Sequence, residues 1–270
     1  MATPTARATM RLMPLLPGVE PFAADGGPVG AVLCHGFTGS PRSMRPWAEH
    51  LAAAGLTVRL PLLPGHGTSW REMSLTRWQD WYAAVERAFD ELRERCDTVV
   101  VMGLSMGGTM AVRLAERRGA QVAGVVLVNV SLLGERLALR ALPIAKHVLP
   151  SVRGLGDDIK KPGVTEGGYD RWPVKALASL VELWALTRKD LGMVSQPLLV
   201  FRSTVDHVVE PTNGTTLLRS VSSTDVEEVL LNDSYHVATL DNDAPVIFAR
   251  SLEFVRRLAP ATAGRPDGEV

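Results

Sequence analysis

The sequence predicts an α/β architecture: a mainly parallel sheet with helices on both faces, interrupted by one inserted helical unit. Three observations lead there. Short, near-continuous apolar runs alternate with amphipathic stretches along most of the 270 residues, the pattern of strands buried on both faces between crossover helices. The run Gly103-Leu104-Ser105-Met106-Gly107 stands between a β-branched stretch and an Ala/Leu-rich one, as a tight strand-to-helix turn would. The alternation then lapses from 131 to 196 and resumes.

In chain order, the first strand is expected at 29–34, where Val-Gly-Ala-Val-Leu-Cys is almost wholly apolar, followed by a helix at 44–54 and a short strand at 56–60. A long amphipathic helix at 75–95 leads to the β-branched strand at 98–102, then to a helix at 106–118 and an apolar strand at 122–128. Beyond the insertion lie a strand at 197–201, a helix at 211–220, a strand at 226–231 and a closing helix at 244–258. In sheets of this kind, ligands bind at the carboxyl ends of the strands.

Residues 131–196 hold no clear strand, only helical and loop-like material with Pro143, Pro150, Pro162 and Pro173. A structureless loop of that length is uncommon in a compact domain, so a small helical unit is expected. Within it Val174, Leu177, Leu180, Val181 and Trp184 recur at helical spacing. That stripe serves as the insert's own core, as the apolar underside of a cap over a pocket, or as both. The domain reading is a core formed by 1–130 and 197–258, a cap at 131–196, and a tail at 259–270 whose Pro, Ala and Gly content predicts disorder. The apolar patch at 10–17 is broken by two prolines and falls short of a signal-peptide core or a membrane span. It is read as part of a surface lead-in or an edge strand.

At 46% apolar residues the chain can bury one large core. Its 29 basic and 29 acidic residues balance, so nothing electrostatic points to nucleic acid or an anionic membrane. Cys34 and Cys96 are read as reduced thiols, which fits a cytoplasmic protein. No stable membrane anchor is expected, which leaves transient contact with a lipid interface open, and the residues carry no signal of oligomeric state. No histidine has the spacing of a metal site, and no metal or other cofactor is expected.

The run at 103–107 fits G-x-S-x-G, in which a serine sits on a strained turn where side chains at the flanking glycines would obstruct the helix. A serine hydroxyl is a weak nucleophile until a base takes its proton, and the base must be oriented by a third group. An acid and then a histidine, each after a late strand, should therefore follow. Asp206 follows the strand at 197–201 and His236 the strand at 226–231. Asp233, Asp241 and Asp243 are rival acids. Asp206 is preferred because its strand should end beside the nucleophile. His207 adjoins Asp206 too closely to be its partner. The main chain N–H of Met106, at the start of the helix, is one donor for a developing oxyanion, and the loop 35–39 should supply the other.

Gly103-Leu104-Ser105-Met106-Gly107-Gly108, His35-Gly36-Phe37-Thr38-Gly39, Pro64-Gly65-His66-Gly67, Asp206 and Ser234-Tyr235-His236 together resemble the α/β-hydrolases. They are most similar to the small bacterial carboxylesterases and monoacylglycerol lipases with a compact helical cap, over roughly 10–258. The resemblance implies an α/β-hydrolase fold with Ser105 as nucleophile, His236 as general base and Asp206 as its orienting acid. It puts the second oxyanion donor at Phe37, whose ring would also line the acyl pocket, while His35 is read as structural and His66 as a loop-ordering hydrogen-bonder. Glu166 lies in a Glu-x-x-Tyr setting similar to that of a cap acid in the monoacylglycerol lipases. It is either a binder of glycerol hydroxyls or a solvated surface glutamate.

The implied activity is hydrolysis of medium- or long-chain acyl esters, monoacylglycerols above all, through an acyl-enzyme, with a small-molecule ester as the partner. Trp172 and Trp184 point to an apolar acyl site. The main alternative is a thioesterase or other acyl transferase with the same triad, and a non-catalytic receptor of this fold is more remote. Enzymes of the fold with an aspartate nucleophile are disfavoured by Ser105.

Overall fold

The computed structural model describes residues 14–135, 139 and 141–259. The patch at 10–13 and the tail from 260 lie outside them, and within the patch only 14–17 are described, as exposed chain.

A seven-stranded sheet forms the centre. Its strands are β1 (Phe22–Ala24), β2 (Val29–Cys34), β3 (Thr57–Leu60), β4 (Thr98–Leu104), β5 (Gly124–Val128), and two that follow the insertion, at Leu198–Ser203 and Val226–Leu231. Between β5 and Leu198 come two further strands, β6 (Ser151–Arg153) and β7 (Arg171–Pro173), so the last two of the sheet are β8 and β9. The sheet order is β1-β3-β2-β4-β5-β8-β9, parallel throughout except for β1 against β3. The expected mainly parallel sheet is present.

Helices cover both faces. In chain order they are α1 (Arg45–Ala53), α2 (Trp70–Met73), α3 (Trp78–Arg93), α4 (Met106–Arg118), α5 (Leu142–Val148), α6 (Val174–Asp190), α7 (Thr212–Ser220) and α8 (Ala244–Leu258). Side chains of a strand alternate between faces, and β4 divides accordingly. Val99 and Val101 pack with Trp81 and Phe89 of α3 and Leu114 of α4, whereas Val100 and Met102 pack with Trp47 of α1 and Phe254 of α8.

Three expectations need correction. The helix expected at 75–95 starts at Trp78, because Asp80 Oδ2 accepts the Arg77 N–H at 2.8 Å and so fixes the first turn there. The strand expected at 122–128 starts at Gly124, after a 3-10 turn at Gly119–Gln121. The insertion, read as strandless, contains the antiparallel pair β6 and β7, each three residues long and too short to leave a periodic signal. One edge of the sheet is β1, at Phe22–Ala24, outside the patch at 10–17.

The insertion sits on the α3 and α4 side of the sheet. Val174, Leu177, Leu180 and Leu183 of α6 share one apolar cluster with those helices and have no separate core. Trp184 Nε1 donates to Ser131 Oγ at 3.2 Å, tying α6 to the chain just after β5.

Candidate active site

The centre of the site is the turn between β4 and α4. Ser105 has φ 56° and ψ −120°, a region in which a side chain is strained. Its N–H donates to the Val128 carbonyl at 3.0 Å and its own carbonyl accepts the Ser131 N–H at 3.3 Å, so β5 and the chain after it hold the strained residue. The flanking glycines are a steric requirement. A Cβ on Gly103 would lie 2.2 Å from the Gly107 carbonyl, and one on Gly107 would lie 1.9 Å from the Cys34 carbonyl oxygen. Gly107→Ala is therefore expected to cost about 4 kcal/mol or more, read as a large fall in thermal midpoint or loss of soluble protein. A wild-type melting curve would refute this packing.

Asp206 and His236 meet from the loops after β8 and β9. His236 Nδ1 donates to Asp206 Oδ2 at 2.8 Å, with both side chains only 8% exposed. Asp206 Oδ1 accepts the N–H groups of Val208 and Val209, each at 2.8 Å, so the acid is fully engaged. With its proton on Nδ1, the neutral ring has Nε2 as its acceptor. Burial disfavours the charged ring, but the Asp206 carboxylate and its hydrogen bond, with Glu166 and Asp158 nearby, outweigh it and raise the His236 pKa. Burial likewise opposes ionisation of Asp206, and the His236 ring together with the two N–H groups overcomes it, leaving the pKa lowered.

Ser105, His236, Phe37 and Glu166 line one cavity, of about 900 Å3 including its open mouth. Met106 is the first residue of α4. The Phe37 ring stands edge-on to Trp81 and Trp172, with centroids 6.0 and 6.2 Å away. The loop that carries it is braced from two sides. His35 Nε2 accepts the Leu63 N–H at 3.2 Å while its Nδ1 lies 3.0 Å from the Gly36 carbonyl. Thr38, at φ 61°, gives its carbonyl to the Tyr169 N–H at 3.1 Å. His66 Nδ1 contacts the Pro64 carbonyl at 3.2 Å, and burial lowers its pKa to about 4, so it is neutral. Both histidines order loops.

Glu166 is half-buried in the cavity wall, and the space beside it is kept by two glycines. Its Oε2 stands 3.1 Å from where a Cβ on Gly39 would be, and its Oε1 3.3 Å from one on Gly168. Burial pushes its carboxyl up to about 7, aided by Asp157 and opposed by His236. Of the rival acids, Asp241 accepts the N–H groups of Lys160, Lys161 and Tyr235, Asp243 accepts that of Asp233, and Asp233 pairs with Lys160. His207 Nδ1 lies 2.7 Å from Asp158 Oδ1 and not on Asp206.

Two supporting residues were not found by pattern. Asn129, left-handed at φ 45°, donates from Nδ2 to the His236 carbonyl at 2.8 Å and accepts the Ser203 N–H at 2.8 Å. Its place just past β5, at the carboxyl end of a central strand, was the available signal. The Tyr169 hydroxyl accepts the Thr68 N–H at 2.8 Å and donates to the Gly65 carbonyl at 3.0 Å, and its place at the end of the Glu-x-x-Tyr run was the available signal.

Comparison with known proteins agrees with this architecture. The chain is 45% identical over 247 residues to a thermostable monoacylglycerol lipase of Bacillus sp. strain H-257, covering 91% of this chain and 98% of that one. A structure from work on LipS and LipT, two metagenome-derived lipolytic enzymes, superposes with a TM-score of 0.88 at 42% identity, covering 90% of this chain and all of the other. The monoacylglycerol lipase of Paleococcus ferrophilus shares the fold at a TM-score of 0.75 and 19% identity, over 89% of this chain and 100% of that one. Residues 31–257 match the model of the alpha/beta hydrolase family. With that match spanning most of the chain, this protein belongs to the alpha/beta hydrolase family.

Proposed function

We propose that this chain is a serine hydrolase of carboxylic esters, with medium- and long-chain monoacylglycerols as its substrates. The observation that carries the reading is the Asp206–His236 pair at 2.8 Å, opening into the same cavity as Ser105 on its strained turn. Ser105 Oγ attacks the ester carbonyl while His236 Nε2 takes its proton. The oxyanion is held by the N–H groups of Phe37 and Met106, each worth on the order of 3 kcal/mol. His236 then protonates the leaving alcohol, and water repeats the sequence on the acyl-enzyme to release the fatty acid.

The acyl chain lies along the apolar wall formed by Leu133, Leu139, Leu177, Leu180 and Trp184, all of which line the cavity. Residues 131–196 supply this wall and serve as the cap of the cavity. In this reading the exposed Ile144, Val148 and Leu149 make transient contact with aggregated substrate. No helix among the described residues is long and apolar enough to cross a membrane. Two free, buried cysteines accord with a cytoplasmic setting.

Fatty-acid release from 1-monoacylglycerols of graded chain length tests the reading. No release by folded protein from any of them would remove the monoacylglycerol assignment. Glu166 is the glycerol-binding residue in this scheme, its carboxylate accepting from a hydroxyl of the alcohol. Glu166→Gln is expected to lower kcat/KM for 1-monolauroylglycerol about tenfold, the weight of one charge-assisted hydrogen bond, and to spare methyl laurate. Because the carboxyl is pushed up to about 7, preference for the glycerol ester should rise as pH passes through that value. Equal losses on both substrates would refute the assignment.

A further inference from the structure

The insertion reaches the reactive centre through a side chain that has no role in the scheme above. Asp158 lies between β6 and β7 in the wall of the catalytic cavity, with its side chain 13% exposed. Its Oδ2 accepts two backbone N–H groups, from His207 at 3.1 Å and from His236 at 3.2 Å. Its Oδ1 is 2.7 Å from His207 Nδ1. The Asp158 carbonyl also accepts the Val237 N–H at 3.1 Å. One residue of the insertion therefore grips the acid-bearing loop beside Asp206 and the base-bearing loop at His236 itself.

That grip is placed where the reaction needs it. Loop closure alone would be served by a carboxylate anywhere along the two loops. Here the N–H donors belong to the base and to the immediate neighbour of the acid, and the negative charge stands beside a ring that becomes a cation during turnover. The charged groups that act on His236 are Asp206, Glu166 and Asp158. Around His207 are Asp158 and the Tyr235 ring, 4.8 Å away, with Lys160 over that ring at 6.0 Å and paired to Asp233.

We infer that Asp158 is a positioning residue for hydrolysis, holding the Asp206 and His236 loops in register from the insertion and setting a negative charge beside the imidazolium. The inference rests on the ester-hydrolase reading. It makes turnover depend on the seating of the insertion, since lifting its loop removes acceptors from both triad-bearing loops at once.

The test compares wild type with Asp158→Ala and Asp158→Asn, measuring kcat and KM across pH on 1-monolauroylglycerol and p-nitrophenyl butyrate, alongside thermal melts. Asp158→Ala should lower kcat about tenfold on both esters, with KM changed less than about twofold, as expected for one charge-assisted hydrogen bond. The asparagine can still offer its oxygen to both backbone N–H groups and its NH2 to His207 Nδ1. It should recover most of the lost kcat. It should also move the acid limb of kcat/KM to lower pH, because an uncharged neighbour favours the neutral ring. The same displacement in a Glu166→Gln background ties the limb to His236.

An unmoved limb in Asp158→Asn, or a kcat loss in Asp158→Ala that only tracks lost folded protein, overturns the inference. If wild type hydrolyses esters and Asp158→Ala does so equally well, only this inference fails. A wild type inactive on both esters takes the hydrolase reading with it.

Discussion

Replacing Ser105 by glycine is expected to abolish ester hydrolysis and stabilise the protein in the same step. Loss of a serine nucleophile from an assembled triad lowers kcat by about 10^6. Stability should move the other way. At φ 56° and ψ −120° a serine side chain is strained, and glycine relieves about 1–3 kcal/mol of that strain, equivalent to a rise of roughly 2–4 °C in melting temperature per kcal/mol. Fatty-acid release and thermal unfolding on the same preparation check both halves. Activity within tenfold of wild type would remove Ser105 from the chemistry, and a lower melting temperature would contradict the strain.

Asp206→Asn should lower kcat by about 10^4 through the tautomer of His236. Asp206 Oδ1 takes the Val208 and Val209 N–H groups, so an amide there would turn its oxygen to them and its NH2 to His236 Nδ1. The ring would then carry its proton on Nε2 and could not accept one from Ser105. Loss of the negative charge also removes the largest of the influences that raise the His236 pKa, so the acid limb of the residual activity should lie at lower pH. The imidazole N–H resonances in a proton NMR spectrum would report the tautomer directly. Retained activity would transfer the orienting role to another acid.

Much of the fold was legible because parallel strands buried on both faces must be apolar throughout, and helices lying on a sheet must be amphipathic. β1, β6 and β7 were not legible. Each is three residues long and pairs through main-chain bonds that no side-chain pattern records. The helix expected at 75–95 was displaced by a single cap, the Asp80 carboxylate on the Arg77 N–H.

The candidate site divides along the same line. Gly103, Ser105 and Gly107 were readable because their demands are local: a strained turn and two clearances that admit no Cβ. Strand order favoured Asp206, but four aspartates near two late loops are equivalent in composition. Their separation came from contacts, with Asp206 on the imidazole while Asp241 and Asp243 hold main-chain N–H groups and Asp233 pairs with Lys160. Glu166 could be read as a surface carboxylate or a cavity one until its setting against Gly39 and Gly168 was seen. Asp158 had no sequence signal, and the Glu-x-x-Tyr run marked Tyr169 without its contacts, because what they grip lies dozens of residues away along the chain.

By itself, the sequence determined the layered α/β class, the tight serine turn and the placing of Asp206 and His236 after two late strands, all properties of contiguous residues and their periodicity. The tertiary structure alone decided which carboxylate meets which nitrogen and how Asp158 meets the His236 loop, because hydrogen bonds between distant segments depend on where folding brings those segments together.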